Sequence, residues 1–478
     1  MRAFAFTLRS LREMFSRKVR QVNRNEHKDD FRGIMKKIIT TIENAWVCPV
    51  IEGEIIPLFG DITISGGVIS KVRPKNFQTF LKNPEKVNKE SFNACGRVLT
   101  LPLVNFHDHI YSRLAKGLPL TGDFGNFQNV LHNLWWKLDR ALDNEMIAAS
   151  AQMAALESIR NGVTYIFDHH SSQNEISGSL STIKNVLHQF NLRGVLCFES
   201  TDRNGSEKAV AGLNENKNFF TSQLTDDFHG MLGLHASFTL SDDLLDESHE
   251  LQKEFDLGIH IHVAEDDSDN KLSIEFTGKR PIRRLRQYKL INAKSILVHG
   301  VHLTGKDFIK INESEGALAF CPDSNLNNSV GLPQFADIPN NIPFLIGTDG
   351  MHSNIARSMK QLFLLTRGQE NSFDDSTAII KKIYFDQLTF VKKYFPDFSS
   401  LNQGDRADMI LWDYIPPTPI SRENFWGHFI YGILEYPVHS VLQNGDFLMK
   451  DFKLVNVDEN KVKNEIYLQG ERLVNKLK

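Results

Sequence analysis

Residues 101–112 read LPLVNFHDHIYS, and how this stretch folds decides the architecture. Its first half is a short apolar run, as expected of a strand buried on both faces. His107 and His109 follow. Residues two apart on a strand point to the same side, so both imidazoles can face one ion at the strand's C-terminal end. The pair is weak evidence alone, because 17 histidines in 478 residues give that spacing by chance. A strand-end histidine is also more often simply hydrogen-bonded than a ligand.

Downstream, the chain repeats short apolar strands and helical stretches. Strand candidates lie at 98–104, 163–167, 194–198, 231–234, 258–263, 295–298, 317–320 and 342–347. NEMIAASAQMAALESIRNG (144–162) carries an apolar stripe of Met146, Met153, Leu156 and Ile159 and stops at Gly162, as a helix would. DDLLDESHELQKEFDLG (242–258) follows Ser241, a natural N-cap, and ends at Gly258. Eight strands alternating with helices predict a parallel α/β sheet with right-handed crossovers; closure into a (β/α)8 TIM barrel, with its active site at the C-terminal strand ends, is one of its two standard outcomes, and eight is the barrel number.

Polar residues recur at those ends. The fifth candidate runs GIHIHVAED (258–266), the sixth ILVHG (296–300) and the eighth FLIGTDG (344–350). Any one of these could be a helix cap or a satisfied core group. Their joint placement at one mouth is harder to assign to chance.

The two chain ends have another texture. IIPLFGDITISGGVISKV (55–72) and SVLQNGDFLMKDFKLVNV (440–457) are short apolar runs broken by Gly60-Asp61, Gly66-Gly67 and Asn444-Gly445, the last a strong hairpin signal. They predict a small β-sandwich built from both ends. The boundaries read from the sequence are an N-terminal extension at 1–34, sandwich parts at 35–96 and 401–478, and the barrel at 97–400. The extension is Arg- and Ser-bearing, in the manner of a transit peptide. Met35 is the preferred natural start, with the cytoplasm as the expected location.

Hydrophobic residues make up 41% and charged residues 24%, with net charge -3, which gives no electrostatic reason to expect nucleic acid. No apolar run nears the ~18 residues of a membrane helix. Cys48, Cys95, Cys197 and Cys321 form no C-x-x-C pair, so neither a disulfide framework nor a cysteine zinc site is expected. The expected partner is a small-molecule substrate.

The order of H-x-H after strand one, H-x-x-E at strand five, H at strand six and D at strand eight resembles the amidohydrolase superfamily, in its deaminase and chlorohydrolase branch. NLWWKLDRAL (133–142), FDHHSS (167–172), GSLSTI (178–183), CFESTDRNG (197–205) and ADMILWDYIPPTP (407–419) look most like the SsnA-type aminohydrolases. The resemblance implies a hydrolase of non-peptide C–N bonds with one divalent metal, Zn2+ first and Fe2+ second, and commonly a homodimer. It makes His107, His109, His262 and Asp349 the ligands, Glu265 the proton shuttle and His299 the residue beside the activated water. His260 falls to the core or to support of the ligands.

GLHASFTLS (233–241) has no lysine to bridge two metals, which favours one. His235 is a candidate for substrate contact, beside His169, Asn325 and Trp135. His170 and Glu199 join them as strand-end specificity candidates. Of Trp135 and Trp136, one is expected at the mouth and one in packing. CPDSNLNNSVG (321–331) has Asn327 and Asn328 where the branch has lysine and leucine, a departure that puts transfer of a guanine or triazine substrate in doubt. Chlorohydrolysis at the same site, or a non-catalytic scaffold, are the competing readings.

Overall fold

The computed structural model describes residues 39–84, 91–119 and 121–478, so the expected 1–34 extension lies outside the described residues. The fold is mixed α/β. Parallel strands β1 (Leu103–Asp108), β2 (Val163–His170) and β3 (Arg193–Phe198) form one sheet, which the short strand Phe228–Gly230 extends. A second parallel sheet runs in order through β4 (Leu232–Ala236), β5 (Ile259–Val263), β6 (Ile296–His299), β7 (Ala317–Phe320) and β8 (Phe344–Ile346).

The sheets meet at two seams. Thr348 and Asp349 both donate their N–H to His107 O at 3.0 Å, and Asp108 and Asp349 form a parallel bridge. On the other side Ser200 N–H donates to Gly233 O and His235 N–H donates to Ser200 O, at 3.0 and 3.1 Å. Gly347 is needed at the first seam: a Cβ there would lie 2.6 Å from His107 Cβ and 2.7 Å from His107 O.

The expected strand 98–104 is two strands. Pro102 has no N–H to give a ladder, and the chain changes sheets around it. Val98–Thr100 pairs with Trp46 and Val47 on one side and with Ile410 and Leu411 on the other, while β1 pairs with β2. Strand four is shifted from the expected 231–234 and includes His235.

The chain ends meet in one nine-stranded sheet. Gln443 pairs with Asp446 across Asn444-Gly445, both at positive φ (52° and 82°), the signature of a tight hairpin turn. The stretch 401–478 also holds helices absent from the sequence reading. The last, Glu459–Leu477, packs on Asn144–Arg160 and is pinned by Arg160–Glu459 and Arg472–Asp143 ion pairs. No helix among the described residues is long and apolar enough to cross a membrane.

Candidate active site

The strand ends converge on a buried cluster of imidazoles and carboxylates. His107 Nε2 lies 3.7 Å and His109 Nε2 3.2 Å from Asp349 Oδ1, and His109 Nε2 is 3.2 Å from His262 Nε2. Local backbone shapes this. Register between β1 and β2 shifts between Asn105 and Asp108, displacing His107 from simple alternation. Asp349 and His299 hold φ of 54° and 70°, a left-handed conformation that costs a side-chain-bearing residue energy and gathers at functional sites.

The proton positions follow from the partners. His109 Nδ1 lies 2.6 Å from His169 O, and His262 Nδ1 3.0 Å from His235 O. A carbonyl only accepts, so each Nδ1 carries the proton and each Nε2 a lone pair. Two such lone pairs 3.2 Å apart repel unless a cation lies between them. His107 Nδ1 meets His260 Nε2 at 2.9 Å, and His107 Nε2 is buried without a partner. His107, His109 and Asp349 offer ligand atoms within 4.8 Å of one another, as do His107, His262 and His299. The donor set therefore fits a divalent metal, with neutral imidazoles and one carboxylate. Burial and the neighbouring histidines hold His107 and His262 well below their ordinary pKa, in the neutral form that coordination needs.

Glu265, His299 and Asp349 form the adjoining group. His299 Nε2 is 3.3 Å from Glu265 Oε2 and 3.9 Å from Asp349 Oδ2, and its Nδ1 donates to Asn325 Oδ1 at 2.8 Å. Burial and the Asp349 charge raise Glu265 well above the usual carboxylate range. Burial opposes ionisation of Asp349, but His109, His299 and hydrogen bonds from Ser324 and Gly350 outweigh it and hold its pKa low. Two neighbouring carboxyls are thus driven apart, one toward a proton donor and one toward an ionised acceptor.

A cavity opens on this group. His109, His262, Glu265 and Asp349 form its floor, with Glu199, Arg203, His235, Tyr111, Trp135 and Trp136 among its walls. Both tryptophans line it, correcting the division into one mouth and one packing residue. Asn325 and His169 are not among its lining residues: Asn325 sits behind His299, and His169 supports His109 and faces Glu199 at 3.5 Å. His170 is buried with its Nε2 on Ser172. Asn327 is exposed, while Asn328 lines the cavity and donates to Glu265 Oε1 at 3.1 Å.

Sequence reading missed the Arg203 network. Arg203 Nη2 pairs with Asp139 and, at 3.1 Å, with Glu199, and its guanidinium lies 5.1 Å from the Trp136 ring centroid. The available signal was ionic residues just beyond an apolar strand end, in CFESTDRNG.

A model of the amidohydrolase family matches residues 98–457, and the chain belongs to that family. The 5'-deoxyadenosine deaminase of Methanococcus maripaludis is 27% identical over 417 residues, covering 84% of this chain and 94% of that protein. The Methanococcus aeolicus protein of the same name is 28% identical over 444 residues, covering 88% and 98%. Among solved structures, an adenosine deaminase from Xanthomonas campestris with bound zinc superposes with a TM-score of 0.75 at 20% identity, over 91% of this chain and 98% of that one. Atrazine chlorohydrolase from Arthrobacter aurescens, complexed with zinc, gives 0.74 at 16%, over 90% and 100%. At these identities the structural likeness is one of fold.

Proposed function

We propose that the protein is a metal-dependent aminohydrolase that deaminates a small cyclic amidine or amine. The observation that carries this reading is the Glu265–His299–Asp349 group, which places a high-pKa and a low-pKa carboxyl beside the histidine cluster at the cavity floor. The deaminases among its relatives support the same chemistry.

Zinc is the proposed ion, held by His107, His109, His262 and Asp349. When bound, it supplies the Lewis acidity that makes water nucleophilic at neutral pH. Asp349 takes the proton of the attacking water. Glu265, whose burial favours its protonated form, passes a proton to the substrate nitrogen, which leaves as ammonia. His299, fixed through Nδ1 by Asn325, orients the nucleophile and offsets charge at the tetrahedral carbon.

We read the two parallel sheets as halves of one (β/α)8 barrel joined at both seams, spanning 97–400, with 35–96 and 401–478 as a composite β unit. An ammonia-release screen over purines, pterins, pyrimidines and guanidino compounds tests the activity. Release from one compound class, lost in Asp349→Asn, supports it. Full metal loading with no release from any class contradicts it.

A further inference from the structure

Arg113 lies in the short helix after His109, fully buried, and its guanidinium reaches across the seam between β1 and β8. Its Nη2 is 2.6 Å from Oδ1 and 2.7 Å from Oδ2 of Asp108, the residue between His107 and His109. The same nitrogen is 3.2 Å from His352 O and 3.0 Å from Ser353 Oγ, in the turn that follows Asp349. Nη1 lies 3.4 Å from His109 O, and Nε 3.2 Å from Glu157 Oε2. Two neighbours stitch the same seam. Ser112 Oγ is 2.7 Å from His109 O and 2.9 Å from Gly350 O, and Asn105 Nδ2 donates to Asp108 Oδ2 at 2.9 Å and to Thr348 Oγ1 at 2.7 Å.

Asp349 holds a φ of 54°, and a residue with a side chain keeps such a backbone only where its surroundings over-determine it. The carbonyls of Gly350 and His352 and the Ser353 hydroxyl are all tied to the segment that carries His107 and His109. A buried ion pair adds little net stability, because desolvation of both charges offsets their attraction. What the Asp108–Arg113 pair supplies is geometry: a planar fork gripped by one carboxylate presents its remaining N–H groups in fixed directions.

We propose that Arg113, oriented by Asp108 and Glu157, is a positioning residue that holds the turn after β8 so that the Asp349 carboxylate meets His107 and His109 in ligand geometry. It touches neither substrate nor ion. The inference rests on the proposed zinc site and goes beyond it, by giving the placement of one ligand to a residue outside the ligand set.

Zinc affinity by chelator competition, and stability of the metal-free protein by urea denaturation, are measured on the same variants. Arg113→Met should lower both. Arg113→Met combined with Asp108→Asn removes both charges of the pair, so stability should largely return. No donor then reaches His352 O or Ser353 Oγ, and zinc affinity should stay about 10–100-fold down. Should both variants fail to fold, Ser353→Ala removes one anchor and no charge, and zinc affinity should fall in the same direction. Zinc affinity that returns with stability in the double variant, or is unchanged in whichever variant folds, overturns the role of Arg113 and leaves the zinc site standing. An unaltered protein that binds no zinc overturns both.

Discussion

His107 Nδ1 and His260 Nε2 are 2.9 Å apart, so one candidate ligand is oriented by a second imidazole buried beneath it. His260 Nδ1 in turn faces Cys197 Sγ at 3.8 Å, and that thiol reaches Asp168 O at 3.4 Å. Such outer partners typically tune metal affinity 10–100-fold. His260→Ala is expected to weaken zinc binding by roughly that factor, and His260→Gln, which restores an acceptor, to recover part of it. Chelator competition on the purified variants measures this.

Glu265→Gln keeps the volume and the Asn328 contact but cannot deliver a proton. Its kcat is expected to fall by about 10²–10⁴ with zinc content unchanged. Metal analysis beside steady-state kinetics separates this from loss of the ion.

Arg203 is the cation between two acids, with side chains of Arg203, Asp139 and Glu199 exposed by only 7%, 1% and 4%. Arg203→Met leaves buried charge uncompensated, which costs about 3–5 kcal/mol. Chemical denaturation should show that loss, and adding Asp139→Asn should return part of it.

Burial, with the nearby Glu265 charge, raises Asp269 from 3.8 to about 8. Its folded form thus binds a proton more tightly than the unfolded chain. Its stabilising contribution is whole below about pH 4 and is lost as pH rises toward 8. Asp269→Asn, which can still accept the Glu265 N–H, should lose less stability over that window, by up to about 1.4 kcal/mol per pH unit. Urea denaturation at pH 5 and pH 8 checks the difference.

Much of the fold was legible because it rests on local signals. Apolar runs with β-branched residues marked the strands, and Asn444-Gly445 marked a hairpin that depends on positive φ. Strand parity put His260 and His262 on one side. Other features depend on contacts distant in sequence. Pro102 marks where the chain leaves one sheet for another, but which sheets meet there is set by tertiary pairing. Asp and His tolerate a left-handed backbone better than most residues, but nothing local in either segment shows that His299 and Asp349 adopt it. Arg203 and Asp139 are 64 residues apart, and nothing local in either segment shows that they pair.

Metal-dependent deamination is tested most directly by ammonia release before and after removal of the ion. The prediction is release from an amidine-type compound that stops on chelation and returns with about one equivalent of zinc. Ammonia release at an undiminished rate from fully chelated protein would contradict it.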